Sequence, residues 1–233
     1  MNSIKLSLIL LFAGSVAMAS VAKLEEIRFK TEVQEVEDAS RKNDLADRML
    51  AQFSLPDGFA VDFLAMLDDP EQGIIWHNYI LQKLDVLYLH PDAADQRKQI
   101  LDRLWQESRS PKPSIAGTTQ MTLLRLHEQR PDVVAAQKLI SRSEWVIERD
   151  VYSNSDRLSA LHVFSALDYP RSTQIARSWL AEEGTPILLK TTALAVLGKQ
   201  LQESDRPLIE PYLKHSDLRL RAAAQSALNR TAR

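Results

Sequence analysis

Leu189-Lys190-Thr191-Thr192-Ala193-Leu194-Ala195-Val196-Leu197 recurs in altered form about 31 residues later, as Leu220-Arg221-Ala222-Ala223-Ala224-Gln225-Ser226-Ala227-Leu228. Both stretches read apolar, basic, two small or polar residues, Ala, two free positions, small apolar, Leu. A period of this size marks stacked helical repeats. One helix pair cannot bury its own apolar face, so neighbouring pairs must stack. The expected fold is all-α: antiparallel helix pairs stacked as an α-solenoid, most regular toward the C-terminus.

Working outward, the same cycle frames these stretches. A helix through Ile175, Trp179 and Leu180 turns at Gly184-Thr185-Pro186 and returns to Leu197-Gly198. Leu208, Ile209, Tyr212 and Leu213 lead to a turn at Ser216-Asp217 and a last helix from Leu218 to Asn229. Upstream the spacing is less regular. Pro111 and Pro113 forbid a continuous helix across 108–114, which makes that stretch a candidate division of the body. Pro131-Asp132 is expected to open a helix, Trp145 to Val151 to continue helically, and Asp156 to begin the next one. From Gly73 to Leu89 a wide apolar stripe predicts the strongest single helix. Residues 20–55 form a charged helical segment or linker, in which Leu45, Met49, Leu50 and Phe53 recur at helical spacing. The repeat body spans 56–233. No apolar/polar alternation of strand type persists over six residues.

The N-terminus reads as a targeting segment. Lys5 precedes the apolar run Leu6 to Ala13, which is short against the roughly 20 residues a bilayer needs. Ala17-Met18-Ala19 has the form a signal peptidase accepts, so residues 1–19 are expected to be a signal peptide. Cleavage there removes one Lys and no acid, moving the formal net charge from −2 to −3. The chain has no cysteine, which excludes a disulfide framework, a thiolate metal site and a lipidated Cys at the cleavage site. The expected location is the periplasm, with secretion as the alternative. A near-neutral charge gives no nucleic-acid footprint. No mature segment has the length and apolarity of a transmembrane span.

Residues 207–228 resemble a HEAT-type repeat, of the short kind found in bacterial HEAT-like proteins. Asp217, Leu220, Arg221, Ala224, Ala227 and Leu228 match that pattern. Residues 173–198 match less fully, with Lys190 in place of the Arg and no Asp in the turn. Residues 155–167 keep only apolar positions, among them Val163, Ala166 and Leu167. The resemblance implies a curved stack of helix pairs that binds other proteins. It also implies that Asp217 and Arg221 hold adjacent repeats together.

Motifs for chemistry are sparse. His77, His90, His127, His162 and His215 form no H-E-x-x-H, so no metal site is expected. There is no G-x-S-x-G elbow and no phosphate-cradling glycine loop, so no cofactor is expected. Asp68-Asp69-Pro70-Glu71 reads as a solvated helix end. Trp76, Trp105, Trp145 and Trp179 sit among apolar helical positions and read as core. The basic C-terminal helix, with Lys214, Arg219, Arg221, Arg230 and Arg233, offers charge complementary to an acidic partner. Gln106-Glu107-Ser108 with Ser114, Ala116-Gly117 and Gln120-Met121 is similar to the start of the lytic transglycosylase motif. That similarity implies Glu107 as general acid/base. The Gly-Leu-Met-Gln core and the downstream Ala-Tyr-Asn-Ala-Gly element of that family are missing. The expected function is therefore an exported, non-catalytic adaptor, scaffold or assembly factor with a protein partner, and a homo-oligomer is a further option. The alternative is a cell-wall (peptidoglycan) lytic enzyme, or its accessory, acting through Glu107.

Overall fold

The structure, a computed structural model, describes residues 35–229. The expected signal peptide, the segment up to residue 34, and Arg230 and Arg233 lie outside the described residues. Every regular element among the described residues is helical. None of these helices is long and apolar enough to cross a membrane. The chain forms two compact units that divide between Leu104 and Trp105.

In the first unit, α1 (Glu35–Leu50) packs on α3 (Ile74–Leu89). Leu45, Ala46, Met49 and Leu50 supply the buried face of α1, as their helical spacing predicts. Phe53 departs from that expectation. The helix ends at Leu50, the turn swings Phe53 outward, and it is fully exposed. Between them lies α2 (Phe59–Ala65), which starts from Gly58 at φ 76°, a left-handed conformation that suits glycine. Phe59 stacks on Phe63 at 5.3 Å, and Phe63 meets Trp76 edge-on at 6.1 Å. A 3-10 turn (Pro91–Gln96) then leads into α4 (Arg97–Glu107).

The second unit carries the repeats. Its helices are α5 (Ile115–Gln129), α6 (Ala136–Ile147), α7 (Asn154–Ala166), α8 (Arg171–Ala181) and α9 (Ile187–Leu197). After them come a short α10 (Arg206–Ile209), a 3-10 turn (Glu210–Lys214) and α11 (Leu218–Asn229). Helices α5, α7, α9 and α11 stack one on the next, and α6, α8 and the α10 segment pack on their neighbours outside that row. The main contacts of each element in this unit are with its neighbours along the stack, an arrangement consistent with a helical solenoid.

The register explains the repeat. Ala160, Val163 and Phe164 of α7 correspond to Ala193, Val196 and Leu197 of α9, and all six are buried. In α11 the set becomes Ala224 and Ala227, buried, with Leu228 partly buried at the edge of the core. Alanine at the first of these positions lets successive helices approach. The closest approach is at Gly198, where an added Cβ would stand 2.7 Å from Ala227 Cα. Only a residue without a side chain fits there. The earliest repeat therefore aligns through Val163 and Phe164, whereas Ala166 and Leu167 are only partly buried. Helix α6 begins at Ala136 rather than at Pro131, because 131–135 is used as a turn. It stops at Ile147, and Val151 is exposed.

Candidate functional site

Glu107 is the last residue of α4 and is 8% exposed. Its carbonyl accepts the Ser110 N–H at 2.9 Å, which closes the helix into the Pro-rich stretch. Two other residues of the transglycosylase-like pattern, Gly117 and Gln120, take part in packing. Gly117 lets α5 lie against α7, since a Cβ there would stand 2.9 Å from Asp156 Cα. Gln120 is fully buried and accepts the Ser143 hydroxyl at 2.7 Å, joining α5 to α6.

Ser114 and Asp156 form the most heavily bonded polar centre of this unit. Ser114 has φ 69°, a conformation that costs a side-chain-bearing residue energy. The Ser114 N–H donates to Asp156 Oδ2 at 3.2 Å, and its hydroxyl meets Ser155 Oγ at 2.7 Å. Asp156 is fully buried and also accepts from Gly117 N–H at 2.7 Å, Ser153 N–H at 3.1 Å and Ser153 Oγ at 2.5 Å. One carboxylate thus completes the capping box of α7 and satisfies orphan donors at the start of α5. Asp156 is a third-position capping residue, with Ser153 as the N-cap, rather than the first residue of its helix. Its role is structural, because all of its partners are protein donors that need an acceptor.

Asp205 works similarly one repeat later. It is 1% exposed, takes Arg177 Nε at 2.6 Å and Nη2 at 3.2 Å, and accepts the Gln202 N–H. Burial pushes its carboxyl up, but Arg177 and the Gln202 N–H outweigh this and hold it below the usual carboxylate range. This pair ties α8 to the next repeat. Asp217 and Arg221, by contrast, act within their own turn. Asp217 accepts the N–H groups of Arg219 and Leu220 as the cap of α11, and Arg221 donates to the carbonyls of His215 and Ser216. The Arg219 side chain and these backbone donors hold the Asp217 carboxyl down to about 2.

The histidines are dispersed in local roles. His90 Nδ1 accepts the Asp92 N–H, His127 Nδ1 lies 2.7 Å from the Val134 carbonyl, and His215 Nδ1 accepts the Asp217 N–H. No cluster of three or more metal-ligating side chains occurs among the described residues. Asp68 forms an ion pair with Arg103 at 2.6 Å, and Asp69 accepts the Glu71 N–H, so this acidic run is partly tied into the first unit. A cleft of about 320 Å3 in that unit runs along residues 54–61 and Asp92. Glu107 is not part of it.

Sequence reasoning missed one surface, the exposed flank of α6. Trp76 is buried as expected, but Trp145 is 45% exposed. The Arg149 guanidinium lies 3.0 Å above the Trp145 ring centre and Arg142 lies 5.6 Å from it. Lys138 stands 3.9 Å over the Trp105 ring. The signal was the spacing Lys138, Arg142, Trp145, which puts three residues on one face of α6, with Arg149 two residues past its end reaching back over Trp145. No protein-family model matches the chain, and no curated protein matches it.

Proposed function

We propose that this chain is a non-catalytic interaction module of the bacterial cell envelope: an adaptor, scaffold or assembly factor exported to the periplasm. In this reading the HEAT-like stack offers a curved helical surface to a protein partner. The observation that carries it is the row α5, α7, α9 and α11, held together by close approach at Gly117 and Gly198 and by the buried Asp156, while Asp205 ties the outer α8 to the next repeat. Such a row is a rigid support for a surface made by its outer helices.

The test is a crosslinked pull-down from envelope extract with the chain lacking residues 1–19. One dominant protein is the expected recovery. Cell-wall fragments in its place would support the competing reading, a peptidoglycan lytic enzyme or its accessory. That reading has the burial of Glu107 in its favour, since a general acid works in a site shielded from bulk water. Peptidoglycan digestion abolished by Glu107→Gln would establish it.

A further inference from the structure

Six arginines of the second unit, Arg130, Arg157, Arg171, Arg177, Arg206 and Arg219, each hold an acid within 3.2 Å. Lys138, Arg142, Arg149 and Arg109 hold none among the described residues. The carboxylates beside them in sequence are engaged elsewhere. Glu144 and Glu148 bind Arg171, and Asp150 binds Arg157. Helix α6 and the turn after it thus divide their charge: Glu144 and Glu148 bind Arg171 of α8, Asp150 binds Arg157 of α7, and Arg142 and Arg149 lie beside the exposed Trp145.

This cluster is costly as it stands. The Arg142 Nε is buried without a hydrogen-bond partner. Burial, then the nearby Arg109 and Arg149 charges, hold the Arg142 guanidinium below its ordinary value. An anion seated among these groups would relieve the repulsion between them. Trp145 already orders Arg142 and Arg149, so less side-chain freedom is lost when they bind. A guanidinium stacked on a ring still presents its edge, which matches a carboxylate in two parallel hydrogen bonds. Arginine and tryptophan are also the residues that anchor protein interfaces, whereas lipid-binding basic segments act as clusters of interchangeable Lys and Arg charges.

We infer that the surface formed by Lys138, Arg142 and Trp145 of α6 and by Arg149 just after it, with Arg109 beside it, binds a carboxylate-rich segment of a protein partner. This rests on the interaction-module reading above and gives it a surface and a ligand chemistry.

The experiment is isothermal titration of the chain lacking residues 1–19 with a polyglutamate peptide. A polyglutamine peptide and phosphatidylglycerol vesicles are the comparisons. Polyglutamate is expected to bind, to weaken with added salt, and to lose about tenfold in affinity for each of Arg142→Gln and Arg149→Gln. Arg219→Gln, which removes a cation already paired with Asp217, is expected to leave the affinity unchanged. A quench of tryptophan emission on binding is expected to vanish in Trp145→Phe. Arg149 is exposed, so its variant keeps the test valid if Arg142→Gln folds poorly. Three results overturn the inference: no polyglutamate binding, equal binding by Arg149→Gln, or binding of the vesicles in place of the peptide. The pull-down separates the two levels. A partner recovered equally by wild type and by the Arg142→Gln/Arg149→Gln variant removes this surface and keeps the module. Recovery of no partner by wild type removes the module.

Discussion

Helices α6 and α11 both carry basic stripes, and the two stripes serve opposite ends. In α11, Arg219 binds Asp217 and Arg221 donates to two backbone carbonyls of its own turn. In α6, the acids are drawn toward α8 and the cations are left beside Trp145. The sequence expectation assigned the complementary charge for an acidic partner to the C-terminal helix. The structure shows that its described arginines are already satisfied. A basic run reveals little about availability until the partner of each cation is known.

The comparison can be broken most severely at Asp156. Asp156→Ala leaves two backbone N–H groups at the start of α5 and the Ser153 cap without their acceptor. A loss of about 3 kcal/mol or more is expected, because several buried donors are orphaned together. Chemical denaturation should show an earlier transition, and hydrogen exchange should place the loss in α5 and α7. Asp156→Asn, which keeps one acceptor oxygen, should lose less.

Next in size is Gly198→Ala. Its new Cβ meets Ala227 Cα at 2.7 Å, backbone that cannot swing aside, so about 1–3 kcal/mol should be lost. Gly184→Ala meets nothing within 4 Å and serves as the control. It should be neutral or slightly stabilising through the unfolded chain. Equal effects at the two glycines would contradict the close approach of α9 and α11.

Acid sharpens the contrast further. Asp205 and Asp217 both have folded values below the usual carboxylate value of about 3.9. Each contribution is present above that value and is lost as pH falls through the folded value, which for Asp217 is about 2. Thermal melts from pH 5 to pH 2 should therefore show the C-terminal repeats loosening first. Asp205→Asn should flatten that dependence, more so than Asp217→Asn, because Asp205 is buried and Asp217 sits in an exposed ion pair. The smallest effect is expected for Arg219→Gln, whose thermal midpoint should match wild type. A clear shift there would mean that the α11 stripe supports the stack after all.

Much of the architecture was legible in residue order. The repeated apolar-basic-Ala-Leu pattern located α9 and α11, since a helical period of buried positions survives in sequence. Prolines and glycines marked several of the turns because their backbone limits are intrinsic. The candidate surface was harder to see. Trp145 and Phe53 looked like core because both lie among apolar neighbours, yet Trp145 falls on the outward face of α6 and Phe53 lies beyond the end of α1. The transglycosylase-like run shows the limit of a one-dimensional pattern: Gly117 and Gln120 fit close packing and a buried hydrogen bond, needs that residue order alone does not separate from catalysis.

Sequence alone determined that the fold is helical and stacked, because periodicity and small-residue positions are local properties that packing then reads out. Only the tertiary structure decided which charges are free. Ion pairing depends on residues about 23 to 28 positions apart meeting across neighbouring helices, as Arg171 does with Glu148 and Arg177 with Asp205. The cost of burying a charge is likewise set by what surrounds it rather than by what precedes it in the chain.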